Sequence, residues 1–350
     1  MEHKCILCGK ESLNTIMEIE GFPVAAQHIP SADELEADMG ETLRLCQCRR
    51  CGLLQLDNAP VPYYKDVIRS GGFSKSMISS RNEQFKYFID KCDLKGKKIV
   101  EVGCGATDAP ATSRSVIYNL DGSSYAIKYD KSPDLIIVDT EVIFKSPLRF
   151  FISGIGDAIT TKFEAEANNR KMRKNLIKGN YFSTYTGMVI SDVCYDTLIG
   201  SGKDAVSGIQ SGCHNESVDK VIEAVVLMSG LGAENCGCGI AHAVGEGIAL
   251  VPTNKVSLHG EQVAFGLICQ LIAEKRDVGV IRGLLKYYGE VGLPKTLGEL
   301  GIDANDRNLG IIAGMAISRA CWVEAIDVPV TTVWQVKGII KQADDIGSGI

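Results

Sequence analysis

The sequence predicts a chain of mixed fold class, in which a small cysteine module and a truncated α/β segment precede a mainly α-helical domain. Two Cys-x-x-Cys pairs lie near the two ends of residues 1–52. The apolar strand-like segment Lys97–Val102 runs directly into a turn, Gly103–Gly105. Beyond Gly154, apolar residues recur at helical spacing in segments separated by glycines.

The composition is that of a folded protein and limits the classes of partner. The chain has 350 residues, of which 45% are apolar and 23% charged. The net charge of −6 argues against a nucleic-acid partner, which favours a basic surface. No apolar stretch reaches membrane-spanning length, and the start Met1–Lys4 does not resemble a signal peptide. The 13 cysteines suit metal binding and free thiols in a reducing compartment, so we expect a cytoplasmic protein.

The first module is defined by its cysteines, because the segment 1–52 otherwise reads as loop with little periodicity. Cys5 and Cys8 form one turn, and Cys48 and Cys51 form the other. Two such turns facing each other supply four thiolates to a structural zinc ion. The alternative is four unrelated thiols. Cys46 breaks the spacing and is expected to be a bystander.

The helical part carries three candidate metal ligands. Pro147 is expected just before a helix, where its missing N–H costs least. Asp157 follows Gly154-Ile-Gly and is interpreted as lying at a helix start. His242 lies in a glycine-rich helix, and His259 opens the next helix 17 residues later. Each residue also has an ordinary explanation: Asp157 as an N-cap, His242 as a core histidine, and His259 as a surface cap.

Periodicity places the helices of this part, and two glutamates stand near the histidines. Glu246 and Glu261 are candidates to orient the imidazoles, as outer partners of metal ligands usually do. The predicted helices cover residues 157–170, 182–200, 217–231, 235–248, 258–274, 276–290, 306–317 and 330–344.

The cysteine module followed by Ile99-Val-Glu-Val-Gly-Cys-Gly105 resembles the N-terminal part of zinc-containing S-adenosylmethionine-dependent methyltransferases. The resemblance covers about residues 1–105 and implies that Glu101, Gly103 and Gly105 match a motif that contacts the cofactor. It stops before the helix and the catalytic region of that family. The segment is therefore expected to be truncated.

The remaining sequence, from about Ala106 to the C-terminus, resembles the glycerol dehydrogenase family of the iron-containing alcohol dehydrogenase superfamily. This resemblance implies a dehydroquinate-synthase-like helical domain. By the same resemblance Asp157, His242 and His259 are ligands of a catalytic zinc, and Asp108 binds the polyol substrate. Thr112, Arg114 and Tyr118 correspond to positions near the nicotinamide of NAD. The motifs that carry the resemblance are Ala106-Thr-Asp-Ala-Pro110, Ser115-Val-Ile-Tyr118, Ile136-Ile-Val-Asp-Thr140, Gly154-Ile-Gly-Asp-Ala158 and His259-Gly-Glu-Gln-Val-Ala-Phe-Gly266.

Together these predictions divide the chain into four parts. The expected parts are a zinc module (1–60), a truncated methyltransferase-like segment (61–105), a remnant of a dinucleotide-binding domain (106–152) and a helical catalytic domain (153–350). The resemblance implies zinc-assisted hydride transfer from a vicinal diol, glycerol, to NAD, with the cofactor domain incomplete, and possible homo-oligomers. The alternatives are a truncated methyltransferase and a non-catalytic fusion of two proteins.

Overall fold

The computed structural model consists of two compact units, 1–87 and 88–350. This division is coarser than the four parts expected from the sequence, and those parts stay a prediction. The structure describes residues 4–5, 8, 10–22, 40–58, 109–118, 124–128, 132–133, 136, 138–176, 181–253, 255–319 and 332–350.

The described part of the first unit is a three-stranded antiparallel sheet. Its strands are β1 (Leu13–Phe22), β2 (Glu41–Cys48) and β3 (Leu54–Leu56), with β2 in the middle. The expectation of a loop-rich segment was therefore wrong here. Almost every residue of β1 is exposed, so the strand lacks the alternation of buried and exposed residues by which strands are recognised in sequence. The predicted segment 61–105 lies outside the described residues.

The second unit is mainly helical, as predicted, and begins with an antiparallel hairpin. The hairpin pairs β4 (Arg114–Tyr118) with β5 (Ser124–Lys128). The helices that follow are α1 (Thr140–Phe144), α2 (Leu148–Ala158), α3 (Thr161–Arg170), α4 (Tyr185–Ser211), α5 (Glu216–Glu223), α6 (Gly230–Cys236), α7 (Ile240–Ala249), α8 (His259–Ala273), α9 (Val278–Val291), α10 (Asp306–Ser318) and α11 (Val333–Ser348). Helix α8 is the centre of the core, and Phe265, Leu267 and Leu271 in it are fully buried.

The position of Asp157 differs from the sequence prediction. Helix α2 starts directly after Pro147, which confirms the expectation for that proline. Asp157 is the penultimate residue of α2, however, and does not begin a helix. Its neighbour Gly156 is a contact point inside α2, because a Cβ atom there would lie 2.5 Å from the carbonyl oxygen of Gly260. Gly156 therefore serves the close packing of two helices and does not mark a helix boundary.

Two further helix boundaries also differ. Helix α4 extends to Ser211, well beyond the predicted end at residue 200. Gly202 does not end it, because this glycine makes room for Tyr287, whose hydroxyl oxygen would lie 2.0 Å from an added Cβ. The chain from α5 to α6 is continuous through a π-helical turn, Ala224–Ser229, and ends at Gly237 with a φ of 94°. The predicted break inside this stretch lies farther along the chain, between α6 and α7.

Among the described helices, none is by itself long and apolar enough to cross a membrane. One pair of helical segments, Glu216–Cys236 and Ile240–Ala249, passes that test jointly by length and composition but is bent by 109°.

His214 connects α1 to α5 through a pair of carboxylates. Its Nε2 atom lies 2.8 Å from Oδ1 of Asp219, and its Nδ1 atom lies 3.5 Å from Oε2 of Glu141. The ring also stacks on Phe144 with a centroid distance of 4.7 Å. The hydrogen bond to Asp219 raises the pKa of His214 most, and it outweighs the opposite effect of partial burial, with Glu141 adding to the rise.

This arrangement predicts a pH-dependent contribution to stability. Because the folded pKa exceeds the unfolded value of about 6.5, the contribution is fully present below that value and is lost as the pH rises through the folded pKa. We expect the free energy of unfolding of His214→Gln to fall below that of wild type at acidic pH and to approach it at alkaline pH. Denaturant titrations of both proteins across this range check the prediction, and a difference independent of pH contradicts it.

Candidate metal centre

Asp157, His242 and His259 meet at one point, although they lie on three different helices. Oδ1 of Asp157 is 3.4 Å from Nε2 of His242 and 3.8 Å from Nε2 of His259. One atom from each residue falls within 4.8 Å of the other two. Asp157 and His242 are largely enclosed, whereas the side chain of His259 is 41% exposed. The cluster therefore has a protein side and a side open to solvent.

Glycines bring the three helices close enough for these side chains to meet. A Cβ atom on Gly260 would lie 1.7 Å from the carbonyl oxygen of Ser153, so α2 and α8 touch through their backbones beside Asp157 and His259. A Cβ atom on Gly266 would lie 2.1 Å from the carbonyl oxygen of Ala241, so α7 and α8 touch in the same way beside His242. Only glycine fits at such contacts. Helix α8 thus holds both partner helices at backbone distance.

The charges and unsatisfied atoms of the cluster suit a divalent cation. Oδ1 of Asp157 is buried and accepts no hydrogen bond from the described residues, which is costly for a carboxylate oxygen unless a cation faces it. Donors bound about 2.0–2.2 Å from a tetrahedral zinc ion lie about 3.3–3.5 Å apart, close to the two distances observed. One carboxylate and two imidazoles are the donor set of a catalytic zinc site, with a coordination position left open. The residues therefore fit the metal that the resemblance implies.

The pKa shifts of the three residues reflect their burial and the opposite charges that they bring together. Burial raises the pKa of Asp157, but the neighbouring imidazoles of His259 and His242 outweigh burial and hold this pKa below its usual value. Burial lowers the pKa of His242, but the negative charge around it, from Cys238, Glu164 and Asp157, holds this pKa well above its usual value. Burial lowers the pKa of His259, and the neighbouring charge of His242 adds to this effect, so the two imidazoles shift in opposite directions.

The carboxylate that orients His242 is Glu164 of α3, which the sequence analysis missed. Its Oε2 atom lies 2.8 Å from Nδ1 of His242, and its side chain is 1% exposed. The two glutamates expected in this role have other partners. Glu246 pairs with Arg319 at 2.6 Å, and Glu261 pairs with Arg149 at 2.6 Å. At His242 the orienting carboxylate is thus Glu164, and a role for Glu246 or Glu261 at His259 stays a prediction.

A signal for Glu164 was present in the sequence. Thr161, Glu164, Ala165 and Asn168 follow the spacing of one helix face, and all four are buried. A glutamate in the middle of a buried face is unusual and points to a specific partner. The face is too polar to be recognised as buried from sequence alone, which explains why the signal was missed.

The residues predicted to contact substrate and nicotinamide are only partly described. Asp108 lies outside the described residues, and only the backbone of Arg114 and Tyr118 is described, in β4. Thr112 is described and half-buried, directly before Ser113.

The hairpin that follows Thr112 is attached at its base to a buried carboxylate of α6. Glu234, which is 4% exposed, accepts hydrogen bonds from the backbone N–H of Ser113 at 2.6 Å, from the Ser113 hydroxyl, and from the Ser132 hydroxyl at 3.0 Å. Ser113 precedes β4 and Ser132 follows β5, so one carboxylate holds both ends of the hairpin.

In the first unit, the four predicted cysteines also converge. The Sγ atoms of Cys5 and Cys51 are 3.5 Å apart, and those of Cys8 and Cys48 are 3.7 Å apart. Thiolates bound about 2.3 Å from a tetrahedral zinc ion lie about 3.8 Å apart, so these distances fit that ion. A hydrogen bond from Ser12 lowers the pKa of Cys48 to about 6, which favours the thiolate that zinc requires.

Replacing Cys48 by serine is expected to release zinc from this unit and to unfold its sheet, because so small a sheet has little apolar core of its own. The prediction is checked by measuring the zinc content per chain and the thermal unfolding of the first unit. Cys46→Ser is the matched control. Cys46 is also buried in β2, but its Sγ faces Thr15 at 3.4 Å and does not belong to the group of four. Equal zinc content in the two variants contradicts the assignment.

The fold of this chain is similar to that of solved dehydrogenase structures. A solved structure of a probable glycerol dehydrogenase from Sinorhizobium meliloti 1021 superposes with a TM-score of 0.66 and is 35% identical, over 70% of this chain and 69% of that one. The fold is thus that of a dehydrogenase, and Asp157, His242 and His259 converge in its helical domain. No family model matches the chain.

Two curated relatives indicate which kind of dehydrogenase this chain is similar to. The glycerol dehydrogenase of Thermotoga maritima is 31% identical over 284 residues, which are 81% of this chain and 75% of that protein. The chain belongs to the glycerol dehydrogenase family and is a glycerol dehydrogenase-like oxidoreductase. The glycolaldehyde reductase of Halobacterium salinarum is 37% identical over 242 residues, and the chain spans 66% of its length.

The extent of the Thermotoga maritima match bears on the predicted junction near Gly105. It covers 81% of the chain, more than residues 106–350 alone can supply, so dehydrogenase similarity reaches into the first 105 residues. The methyltransferase resemblance of that segment remains a prediction. These comparisons favour the dehydrogenase reading over the two alternatives.

Proposed function

We propose that the chain oxidises a vicinal diol, with glycerol as the leading candidate, by zinc-assisted hydride transfer to NAD. The observation that carries the proposal is the convergence of Asp157, His242 and His259, with a buried Asp157 oxygen that accepts no hydrogen bond from the described residues. The names of the relatives support the substrate class, since one is a glycerol dehydrogenase and another a reductase of the two-carbon aldehyde glycolaldehyde.

In this proposal each residue has a distinct task. Asp157, His242 and His259 would hold the metal, and the chemistry that zinc would supply when bound is a lower pKa of the substrate hydroxyl, which would favour loss of hydride from its carbon. His259 lies at the open side of the cluster, where substrate enters. Asp108 accepts a hydrogen bond from a second hydroxyl of the polyol. By the family resemblance, Thr112, Arg114 and Tyr118 occupy positions near the nicotinamide.

Zinc is proposed over iron because of Thr161. Iron-dependent relatives, by the family resemblance, carry a further histidine ligand one turn after the aspartate. Here that position is Thr161, and its hydroxyl lies 3.1 Å from the hydroxyl of Ser229 in the π-helical turn. A hydrogen-bonded hydroxyl is a poor substitute for an imidazole ligand, so three protein ligands and an open position remain.

Fewer residues of the chain support the proposed NAD site than support the metal site. By the family resemblance, the glycine-rich pyrophosphate loop lies in the N-terminal part of the family, and in this chain the cysteine module stands at the N-terminal end. The hairpin held by Glu234 retains the nicotinamide-side positions, so we propose a partial NAD site with weak binding. The chain's activity therefore needs a direct measurement.

The test is oxidation of glycerol by the purified full chain with zinc and NAD⁺, followed by the absorbance of NADH. Activity that disappears in His242→Ala supports the proposal. Bound zinc without oxidation of glycerol, propanediol or ethylene glycol overturns it and favours a chain that has kept the metal site but not catalysis. Binding of S-adenosylmethionine, measured on the same sample by calorimetry, would instead favour the methyltransferase alternative.

A further inference from the structure

The imidazole of His242 faces acidic groups on both sides, and the distances on the two sides differ. On one side, Nε2 lies 3.4 Å from Oδ1 of Asp157. On the other side, Nδ1 lies 2.8 Å from Oε2 of Glu164. Both sides contain groups able to bind a metal, because Glu164, Cys238 and His242 also place one ligand atom each within 4.8 Å of one another. The distances decide which side holds the ion and which holds the proton.

Two donors on one tetrahedral zinc ion are separated by about 3.3–3.5 Å. The Nε2 side meets this requirement, whereas 2.8 Å on the Nδ1 side is the length of a charge-assisted hydrogen bond. The Glu164 side is therefore built for an N–H donor. It leaves no room for an ion between the carboxylate and the ring.

The backbone fixes the orientation of the Glu164 carboxylate. Its Oε1 atom accepts hydrogen bonds from the backbone N–H groups of Gly239 at 2.8 Å and of His242 at 3.2 Å, at the start of α7. Because both N–H groups donate to Oε1, only Oε2 of Glu164 faces the ring of His242. Since Glu164 is 1% exposed, water does not compete for these bonds.

We propose that Glu164 is a positioning residue that keeps the proton of His242 on Nδ1 and leaves the Nε2 lone pair directed at the metal. The inference rests on the proposed metal site and adds the cause of its ligand geometry. A neutral imidazole carries one proton on either nitrogen, and only the form with Nε2 unprotonated binds a metal through that atom. The carboxylate selects this form because it can accept a hydrogen bond and cannot donate one.

Glu164→Gln is a sharp test because it preserves shape and reverses the selection. The two backbone N–H groups require an oxygen, so they hold the amide with Oε1 toward themselves and the NH₂ group toward His242. That NH₂ group donates to Nδ1 and stabilises the tautomer with its proton on Nε2, which opposes metal binding. We expect zinc affinity at this site to fall about 10–100-fold, the range for outer partners of metal ligands.

The matched control is Glu166→Gln. Glu166 lies on the same helix and pairs with Arg276, and it does not contact the cluster. Zinc affinity measured by chelator competition should stay at the wild-type value in this control. Equal affinity of Glu164→Gln and wild type overturns the inference while leaving the metal site intact. Wild type that binds no metal through Asp157, His242 and His259 overturns the proposed function, and the inference with it.

A second measurement on the wild type needs no variant. With cobalt in place of zinc, the Nδ1 proton of a histidine bound through Nε2 gives a strongly shifted, exchangeable proton NMR signal. A slowly exchanging signal of this kind from His242 supports the inference, because the proton is buried against Glu164. Coordination of His242 through Nδ1, or rapid exchange of its ring proton, contradicts it. This readout remains decisive even if Glu164→Gln fails to fold.

Discussion

Asp157→Asn is expected to abolish tight metal binding at the proposed catalytic site and to leave the zinc of the first unit in place. The amide has nearly the shape of the carboxylate, but it lacks the charge that offsets a divalent ion between two imidazoles. We expect affinity at this site to fall more than about 100-fold, beyond the range for outer partners of ligands. Metal analysis should then give one zinc per chain where wild type gives two.

The control for this variant is Asp192→Asn, on the exposed side of α4. Asp192 pairs with Lys162 at 3.0 Å and is half-exposed, so its loss should change neither zinc content nor fold. Two zinc ions retained in Asp157→Asn would show that Asp157 is not a ligand. One zinc in wild type, lost on replacement of Cys48, would show that only the cysteine site binds metal.

Gly260→Ala is expected to damage stability and the metal site together. The added methyl group would lie 1.7 Å from the carbonyl oxygen of Ser153, which is backbone and cannot rotate away. Helices α2 and α8 must separate, at a cost of about 3 kcal/mol or more, the upper range for overpacking. The same separation moves Asp157 away from His259, so metal affinity should fall as well. Thermal unfolding and zinc titration of the same sample measure both effects.

Gly283→Ala is the counterpart in helix α9. Apart from the backbone of its own helix, no atom of the described residues lies within 4 Å of a Cβ added at Gly283, so alanine should increase helix stability by up to about 1 kcal/mol without affecting metal binding. Opposite signs in the two variants are the expected result. Similar small effects of both would mean that the α2–α8 contact is looser than described and does not hold the ligands together.

The helical half of the fold was predictable because its signal is local. Apolar spacing revealed most helices of the second unit, and Pro147 indicated the start of α2. Glycines predicted the helix boundaries less well. Gly156 and Gly202 look like boundaries in the sequence, but both are contact points inside helices. Whether a glycine interrupts a helix or packs against a neighbour depends on tertiary structure, which a single sequence does not show.

The metal cluster could not be derived from local patterns. Asp157 and His242 are distant in sequence, and each has an ordinary explanation by itself. Only the family resemblance suggested that they belong together. Glu164 was missed for a related reason. The resemblance implied the three candidate metal ligands, but it did not indicate the residue that hydrogen-bonds His242. The sheet of the first unit was missed because β1 has no buried face. Asp108 and the glycine turn at Gly103–Gly105 lie outside the described residues, so the predictions for them stay open to experiment.

The carboxylate of Glu234 has a mechanical consequence. Because it accepts hydrogen bonds from one residue before the β4–β5 hairpin and one after it, Ser113 and Ser132 cannot separate without breaking bonds to one buried carboxyl group. Thr112 directly precedes Ser113, so the same carboxylate restricts where the chain can place the residue that we propose lies near the nicotinamide.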